Sequence, residues 1–261
     1  MIDNNTLRKL LLFTPLDKFK IFTKDLNIDK FTEIKNILNI DIENNFNIDY
    51  WRLKTTQEWI TENPISEKQI INFYKKLFYY IPELSLWSNT NIGYYKTYIE
   101  WLQKYSWKTV LDYGGGIGDI SIILKQLNFN PTHLDINGVL CKYVKQRFKH
   151  RNLDINTITI SKPIKQLDKQ YDCIICLDVL EHIVNPLELL KIFTKHLTSK
   201  GGLILKWTFT NHQNDDGVYT PLHLEKHIQE KTNKQLLTFL NEHYILTDKT
   251  WNCFDRLWIK K

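Results

Sequence analysis

The sequence is poor in the residues that mark several classes of protein. Its 261 residues include no alanine, one methionine, four cysteines and nine glycines. Four cysteines in a chain of this length favour reduced thiols over a disulfide framework. No apolar run approaches the roughly 18 residues that a membrane span needs. The net charge of +6 is spread along the chain without a dense basic block. We therefore expect a cytoplasmic protein with no membrane segment, and nucleic-acid binding is disfavoured.

The cysteines and histidines also give little support to a metal site. Cys173 and Cys176 form a C-x-x-C pair, but they lie in an apolar run that predicts a buried strand, and no second pair follows at zinc spacing. His223 and His227 are four residues apart, which places them on one face of a helix. A metal bound by this pair would need further ligands. We therefore predict core thiols and no metal.

Helical patterns dominate the N-terminal part of the chain. Ser66 and Gln69 have the spacing of a capping box, and apolar residues follow at helical intervals until Pro82, which is predicted to end the helix. A second helix is predicted over residues 92–105. Five of the eight tryptophans precede residue 108. Such an aromatic region suits either a hydrophobic core or a lid over a bound small molecule.

From Trp107 onward, short strands alternate with helices. Five apolar or β-branched runs predict strands: Thr109–Asp112, Pro131–Asp135, Ile155–Ile160, Tyr171–Leu177 and Leu203–Trp207. Strands joined by crossover helices form a parallel sheet that is covered on both faces. Tyr244–Thr247 and Trp251–Ile259 predict two more strands, added antiparallel at the sheet edge. We predict an α/β domain over residues 92–261, preceded by a helical cap or lid region over residues 1–91.

The scarce glycines are concentrated in one turn. Gly114, Gly115, Gly116 and Gly118 fall within five positions, between a predicted strand and a predicted helix. Glycine permits positive φ and lets a ligand approach the backbone, and ligands of α/β sheets bind where such a turn meets a helix N-terminus. A P-loop is excluded because Gly-Lys-Ser/Thr is absent. The dinucleotide fingerprint G-x-G-x-x-G is not met, because Asp119 occupies the position of its third glycine. The remaining pattern is G-x-G-x-G, formed by Gly114, Gly116 and Gly118.

A carboxylate follows at the end of the next predicted strand. Asp135 closes the run Thr132-His133-Leu134-Asp135. At that place a carboxylate can accept hydrogen bonds from both hydroxyls of a ribose, provided that the sugar carries no phosphate there. Together with the glycine turn, Asp135 predicts a nucleoside ligand.

With these features the sequence resembles the class I S-adenosylmethionine-dependent methyltransferases. The matches are the glycine turn, Asp135, the segment Tyr171–His182 ending in Leu-Glu-His, and Leu197–Leu205 with its double glycine. They occur in the family's order and cover about residues 92–261. The resemblance implies a Rossmann-like, seven-stranded, mostly parallel sheet with helices on both faces, one antiparallel strand in the final pair, and S-adenosyl-L-methionine as cofactor.

The resemblance also assigns the cofactor-binding residues of the turn and the second strand. Gly114, Gly116 and Gly118 would lie against the methionine part of the cofactor, and Asp112 would lie near its amino group. Asp135 would hold the ribose.

Further residues are assigned by the same resemblance. Ile136 would pack on the adenine. Ser161 stands where many relatives have an acidic residue that bonds the adenine amino group, so this chain departs from the pattern there. Asp178 would end the fourth strand beside the methyl group, on either the cofactor or the acceptor side. Tyr94 or Tyr95 could close over the cofactor.

Methyl transfer requires a nucleophile held close to the methyl carbon, and a hydroxyl nucleophile benefits from a base. His182 follows the fourth strand and His223 follows the fifth, so both are candidate bases. With Asp178 they make up the predicted catalytic residues.

The acceptor has no motif of its own. The aromatic load and the absence of an Asn-Pro-Pro-Tyr-type segment after the fourth strand favour a small molecule over a nucleic-acid base. We therefore predict an enzyme that methylates oxygen or nitrogen of a small-molecule acceptor in a biosynthetic pathway, and a homodimer is compatible with this prediction. The alternatives are methylation of RNA or protein, and a non-catalytic protein that binds S-adenosylmethionine.

Overall fold

The structure is a computed structural model, and it describes residues 30–39, 48–91, 93–207, 230–250 and 255–261. A seven-stranded sheet forms its centre. The strands are β1 (Thr109–Tyr113), β2 (Asn130–Ile136), β3 (Asn156–Ile160), β4 (Tyr171–Leu177), β5 (Leu197–Lys206), β6 (Tyr244–Lys249) and β7 (Arg256–Lys260).

The strand order is β3-β2-β1-β4-β5-β7-β6. Neighbouring strands from β1 to β5 are parallel, and β7 runs antiparallel to both β5 and β6. One strand of the final pair is therefore antiparallel, and the Rossmann-like fold class predicted from the sequence is confirmed. The strand bounds agree closely except for two strands. β5 begins at Leu197 and ends before Trp207. The last strand, predicted over Trp251–Ile259, is Arg256–Lys260, and residues 251–254 lie outside the described residues.

Helices surround the sheet. Among the described residues, five precede it in the chain: α1 (Lys30–Leu38), α2 (Ile48–Glu62), α3 (Glu67–Lys76), α4 (Tyr80–Asn91) and α5 (Gly93–Lys104). The described helices that alternate with the strands are α6 (Asp119–Gln126), α7 (Val139–His150), α8 (Pro186–His196) and α9 (Glu230–His243). A short 3₁₀ turn, Leu180–His182, follows β4.

Apolar clusters fill both faces of the sheet. On one face, Leu102 and Trp107 pack with Val110 and Ile175 of the central strands. On the other face, Leu111 packs in a cluster to which α8 and α9 both contribute. Because the central strands are covered on both sides, they read as nearly continuous apolar runs.

The predicted capping box is present, but the prediction for Pro82 is wrong. Ser66 caps α3, with its side chain accepting from the Gln69 backbone while the Gln69 side chain accepts from the Ser66 backbone. The helix ends at Lys76, well before the proline. Pro82 lies in the first turn of α4, where its missing N–H leaves no helical hydrogen bond unmade.

The N-terminal helices pack against the sheet domain. α1 packs on α7, and α3 contacts both α7 and β2. Gly138, just after β2, permits this approach, because a Cβ there would lie 2.5 Å from the Lys75 backbone. Within the part of the chain that the structure describes, no helix combines the length and the apolar character of a membrane span.

Candidate functional site

A cavity of about 560 Å³ opens at the carboxyl ends of β1, β2, β4 and β5. The glycine turn, Asp135 and Asp178 lie on its sheet side, and residues of α3, α4 and α5 lie opposite them. Its volume falls within the range of small-molecule sites, roughly 300–1,000 Å³. The fold thus brings the predicted turn and the strand-end carboxylates together in one cavity.

The glycine turn depends on backbone conformations that other residues rarely adopt. Gly114, Gly116 and Gly118 have φ values of 66°, 55° and 80°. A Cβ on Gly114 would lie 2.5 Å from a methyl group of Val179, and a Cβ on Gly115 would lie 2.5 Å from the His133 ring. The turn therefore sits tightly on the strands beneath it, and the glycines keep its outer surface as bare backbone facing the cavity.

Asp135 lies at the end of β2 and fixes the turn to that strand. Its Oδ2 accepts a hydrogen bond from the Gly116 N–H at 2.8 Å, and its Oδ1 accepts one from the Ile136 N–H at 2.6 Å. Burial raises the pKa of this carboxyl above its ordinary value, with His133 and the two backbone donors opposing the shift. Each oxygen retains a further lone pair for a ligand hydroxyl.

Asp112 lines the inner wall of the cavity and is bonded beneath the turn. Its side chain is 2% exposed, and its Oδ2 accepts from the Ser121 hydroxyl at 2.6 Å. The buried His133 ring lies 3.8 Å from the same oxygen. This arrangement joins the end of β1 to the start of α6, so Asp112 supports the shape of the turn.

Apolar side chains surround the cavity next to Asp135. Ile136 is among them, together with Ile160, Pro163 and Ile164. Ser161, at the end of β3, is exposed and is not part of the cavity lining. This edge therefore offers hydrophobic contact, to which Ser161 does not contribute.

Asp178 pairs with a residue that the sequence analysis missed. Its Oδ2 accepts from Lys206 Nζ at 2.8 Å, and the lysine lies 5.0 Å from the ring centroid of Trp87 on α4. Asp178 itself has a φ of 52°, an uncommon value for a residue other than glycine. Lys206 ends β5 as Asp178 follows β4, so the strand-end reasoning applied to Asp135 could have found it.

The pair is electrostatically coupled. Burial raises the pKa of Asp178, and the ammonium group of Lys206 partly offsets this rise. Burial alone would lower the pKa of Lys206, but Asp178 raises it above its ordinary value. An acidic and a basic group therefore stand together in the cavity, each holding the other in its charged form.

His182 lies in the 3₁₀ turn after β4 and also lines the cavity. Its Nδ1 is 3.1 Å from the hydroxyl oxygen of Tyr74 on α3. Burial raises the pKa of Tyr74, so its hydroxyl stays neutral. Tyr74 was not predicted as a site residue, because nothing in its spacing distinguishes it from the other tyrosines of the helices.

The remaining predicted residues divide into two groups. Tyr94 and Tyr95 both line the cavity, as does Tyr98 from the same helix. His223 lies outside the described residues, as does His227. Among the residues that the structure does describe, no cluster of three His, Cys, Asp or Glu side chains has the arrangement of a metal site.

Comparison with known proteins places this architecture in a family. A family model described as "Methyltransferase domain" matches residues 75–250. The chain is also 30% identical over 96 residues to the ubiquinone biosynthesis O-methyltransferase of Rickettsia akari. That alignment covers 37% of this chain and 38% of the relative, so the chain matches well under half of the curated relative's length.

Methyltransferases are also among the solved structures that are similar to this chain. A Staphylococcus aureus protein provisionally named a caffeoyl-CoA O-methyltransferase aligns with a TM-score of 0.52 at 16% identity, over 77% of this chain and 96% of its own. Magnesium protoporphyrin IX methyltransferase from Synechocystis with bound S-adenosylmethionine aligns with a TM-score of 0.46 at 17% identity, over 82% and 94% of the two chains.

The family match covers most of the chain, including the turn, Asp135 and the Asp178–Lys206 pair. The chain therefore belongs to the methyltransferase domain family, and its fold is that of class I, S-adenosylmethionine-dependent methyltransferases.

Proposed function

We propose that this methyltransferase acts on a small-molecule acceptor and methylates a hydroxyl oxygen. The observation that carries the proposal is the bounded cavity. Helices α3, α4 and α5 cover the strand ends, and the space between them, about 560 Å³, has the size of a small-molecule site. In this proposal residues 1–91 form a cap over a cofactor-binding domain of residues 92–261.

The residues at the sheet end of the cavity fit the cofactor. Gly114 and Gly116 leave backbone open to a ligand, and the half-buried Asp135 offers a carboxylate for ribose hydroxyls. Gly118 is buried and lies outside the cavity lining, so it would shape the turn rather than touch the cofactor. Ile136 and its apolar neighbours would take the adenine. Asp112 would support the turn from beneath instead of contacting the cofactor amino group. Ser161 would not contact the adenine.

When bound, S-adenosylmethionine would supply a methyl group to the acceptor oxygen, with the carbon–sulfur bond breaking and S-adenosylhomocysteine leaving. The protein must orient an acceptor oxygen and remove its proton. Asp178 is the proposed proton acceptor, because burial raises its pKa and so increases its basicity. Lys206, held as the ammonium, would stabilise the oxygen as it loses its proton.

His182 is the second candidate for the base. Its ring is held by Tyr74 at the same cavity wall, so it could instead orient the acceptor. Comparison of Asp178→Asn with His182→Gln separates these roles. We expect the transfer rate to fall about a hundredfold for Asp178→Asn and about tenfold or less for His182→Gln. The reverse order would make His182 the base.

The O-methyltransferase relatives support the choice of oxygen. The proposed base supports it as well, because a neutral amine acceptor would not need one. The acceptor itself is tested by mass spectrometry of small molecules released from the purified, denatured protein, followed by a transfer assay on the molecule found. Methylation of its hydroxyl supports the proposal. Transfer to nitrogen would correct the acceptor atom. Transfer to RNA or protein, or binding of S-adenosylmethionine without turnover of any metabolite, would overturn it.

A further inference from the structure

A buried guanidinium group lies behind the glycine turn. Arg147, on α7, is 1% exposed. Its Nη1 donates to the Ile117 carbonyl oxygen at 2.7 Å and also to the carboxylate of Asp119. Ile117 is the residue between Gly116 and Gly118, and Asp119 begins α6. One side chain therefore holds both the peptide backbone of the turn and the helix that follows it.

The same guanidinium is bonded to the N-terminal part of the chain. Arg147 Nε donates to Glu33 Oε2 at 2.7 Å, and Arg151 Nε donates to the other oxygen of Glu33. Glu33 is on α1 and is 4% exposed. It lies more than forty residues before the region that the family model matches, which begins at residue 75. A residue outside the matched region thus completes the support of the turn.

Glu33 supplies the negative charge on the side of the guanidinium that faces away from the turn. Among the described residues, Arg147 is paired with the carboxylates of Glu33 and Asp119, and Arg151 is paired with Glu33. Although burial opposes a charged state, the two carboxylates raise the pKa of Arg147 above its ordinary value. Loss of the Glu33 charge would leave the Nε of a buried guanidinium without its carboxylate, which is unfavourable. Arg147 would then shift and alter its bond to the Ile117 carbonyl.

The turn is sensitive to such a change. Gly116 and Gly118, on either side of Ile117, both have positive φ and little intrinsic conformational preference. Phe148, next to Arg147, lies within 2.8 Å of where a Cβ of Gly118 would be, so α7 packs directly under the turn. The orientation of the Ile117 peptide therefore depends on what α7 holds.

We propose that Glu33 is a positioning residue for cofactor binding, acting through Arg147 on the glycine turn. The proposal rests on the proposed placement of the cofactor against that turn and is independent of the acceptor. It makes the N-terminal helix α1 a determinant of cofactor affinity.

The test is calorimetry of S-adenosylhomocysteine binding to the full chain. Glu33→Gln keeps the side-chain volume and removes the charge, and we expect its dissociation constant to rise about tenfold. Ile34→Val is the matched control. Ile34 lies on the same helix in the apolar cluster that includes Val144 and Phe148, away from the charges. We expect this variant to bind within about twofold of the wild type.

Hydrogen exchange of the peptide covering residues 114–124 gives a second readout, which should be faster in Glu33→Gln and unchanged in Ile34→Val. Glu33→Asp retains the charge but shortens its reach, and it replaces Glu33→Gln if that variant does not fold. Unchanged affinity in the folded variant would overturn the proposal. Unfolding of both would also do so, because Glu33 would then stabilise the whole domain rather than the turn.

Asp135→Ala separates this proposal from the one on which it rests. If Asp135→Ala also binds normally, the placement of the cofactor is wrong. If Asp135→Ala loses affinity while Glu33→Gln keeps it, the placement stands and the role of Glu33 is wrong.

Discussion

The two ends of the cavity are built in different ways. The sheet end consists of a backbone turn with three positive-φ glycines and one strand-end carboxylate, Asp135. The rest of the cavity is lined by side chains from three helices, among them Tyr74 and Trp87, and by the Asp178–Lys206 pair at the ends of β4 and β5. The first end depends on local geometry over a short stretch of chain. The second depends on tertiary packing between distant elements.

This difference explains why the cofactor can be predicted from the sequence and the acceptor cannot. A turn that needs glycine at fixed positions leaves a spacing in the sequence, and few ligands fit it. Aromatic side chains on helices have the same spacing whether they pack in a core or line a pocket. The comparison leads to four predictions, of which the first has the largest expected effect.

Gly114→Ala should disrupt the glycine turn at the sheet end of the cavity. Alanine at φ 66° is strained, and its Cβ would overlap Val179. We expect S-adenosylhomocysteine binding to weaken about a hundredfold or more in calorimetry. Asn128→Ala is the matched control, because it places alanine at a similar φ of 61° in a loop remote from the cavity. Equal losses in the two variants would show that backbone strain, and not the turn, is responsible.

Lys206→Met should impair methyl transfer and leave cofactor binding at the glycine turn intact. Without the ammonium group the transfer rate should fall about a hundredfold, while S-adenosylhomocysteine affinity stays within about threefold of the wild type. Lys206 lowers the pKa of Asp178, so its removal raises that pKa further. The acid limb of the pH–rate profile, where Asp178 becomes protonated, should therefore move to higher pH.

The control for Lys206→Met is Lys76→Met, which removes an exposed pair with Glu62. It should leave both the rate and the pH profile unchanged. A Lys206→Met variant with a normal pH profile would contradict the coupling of Lys206 to Asp178.

Asp135→Ala should weaken S-adenosylhomocysteine binding at least tenfold, since it removes the proposed acceptor for the ribose hydroxyls and a bond to the Gly116 N–H. Asp154→Ala is the control. It removes an exposed carboxylate just before β3, at the amino ends of the parallel strands, and should leave S-adenosylhomocysteine binding unchanged. Unchanged calorimetry for Asp135→Ala would remove the ribose assignment.

Tyr74→Phe should have the smallest effect. It deletes the hydroxyl bonded to His182 but keeps the ring, so we expect the transfer rate to fall about threefold with cofactor affinity unchanged. Tyr79→Phe, on a tyrosine that packs against Trp51 instead, should change nothing. A loss in Tyr74→Phe as large as that in His182→Gln would show that the two residues act as one unit.

The sequence predicts the sheet well, because strand runs, crossover helices and strand-end residues follow local rules. Asp135 is predicted in this way, and Asp178 is predicted from the resemblance to a known family. Pro82 was misassigned, because a proline that ends one helix and a proline in the first turn of the next look alike in a sequence. Tyr74 acquires significance only from a partner 108 residues away in the chain, whereas Lys206 was missed although it ends a strand in the same way as the other carboxyl-edge residues.

A crystal structure of the chain with S-adenosylhomocysteine tests the central claim most directly. We expect both ribose hydroxyls to lie within hydrogen-bond distance of the Asp135 carboxylate, the adenine to lie against Ile136, and the homocysteine to lie along the glycine turn. The space beside Asp178 and Lys206 should remain open for an acceptor. An adenosine bound between Trp87 and Lys206, with the turn unoccupied, would contradict it.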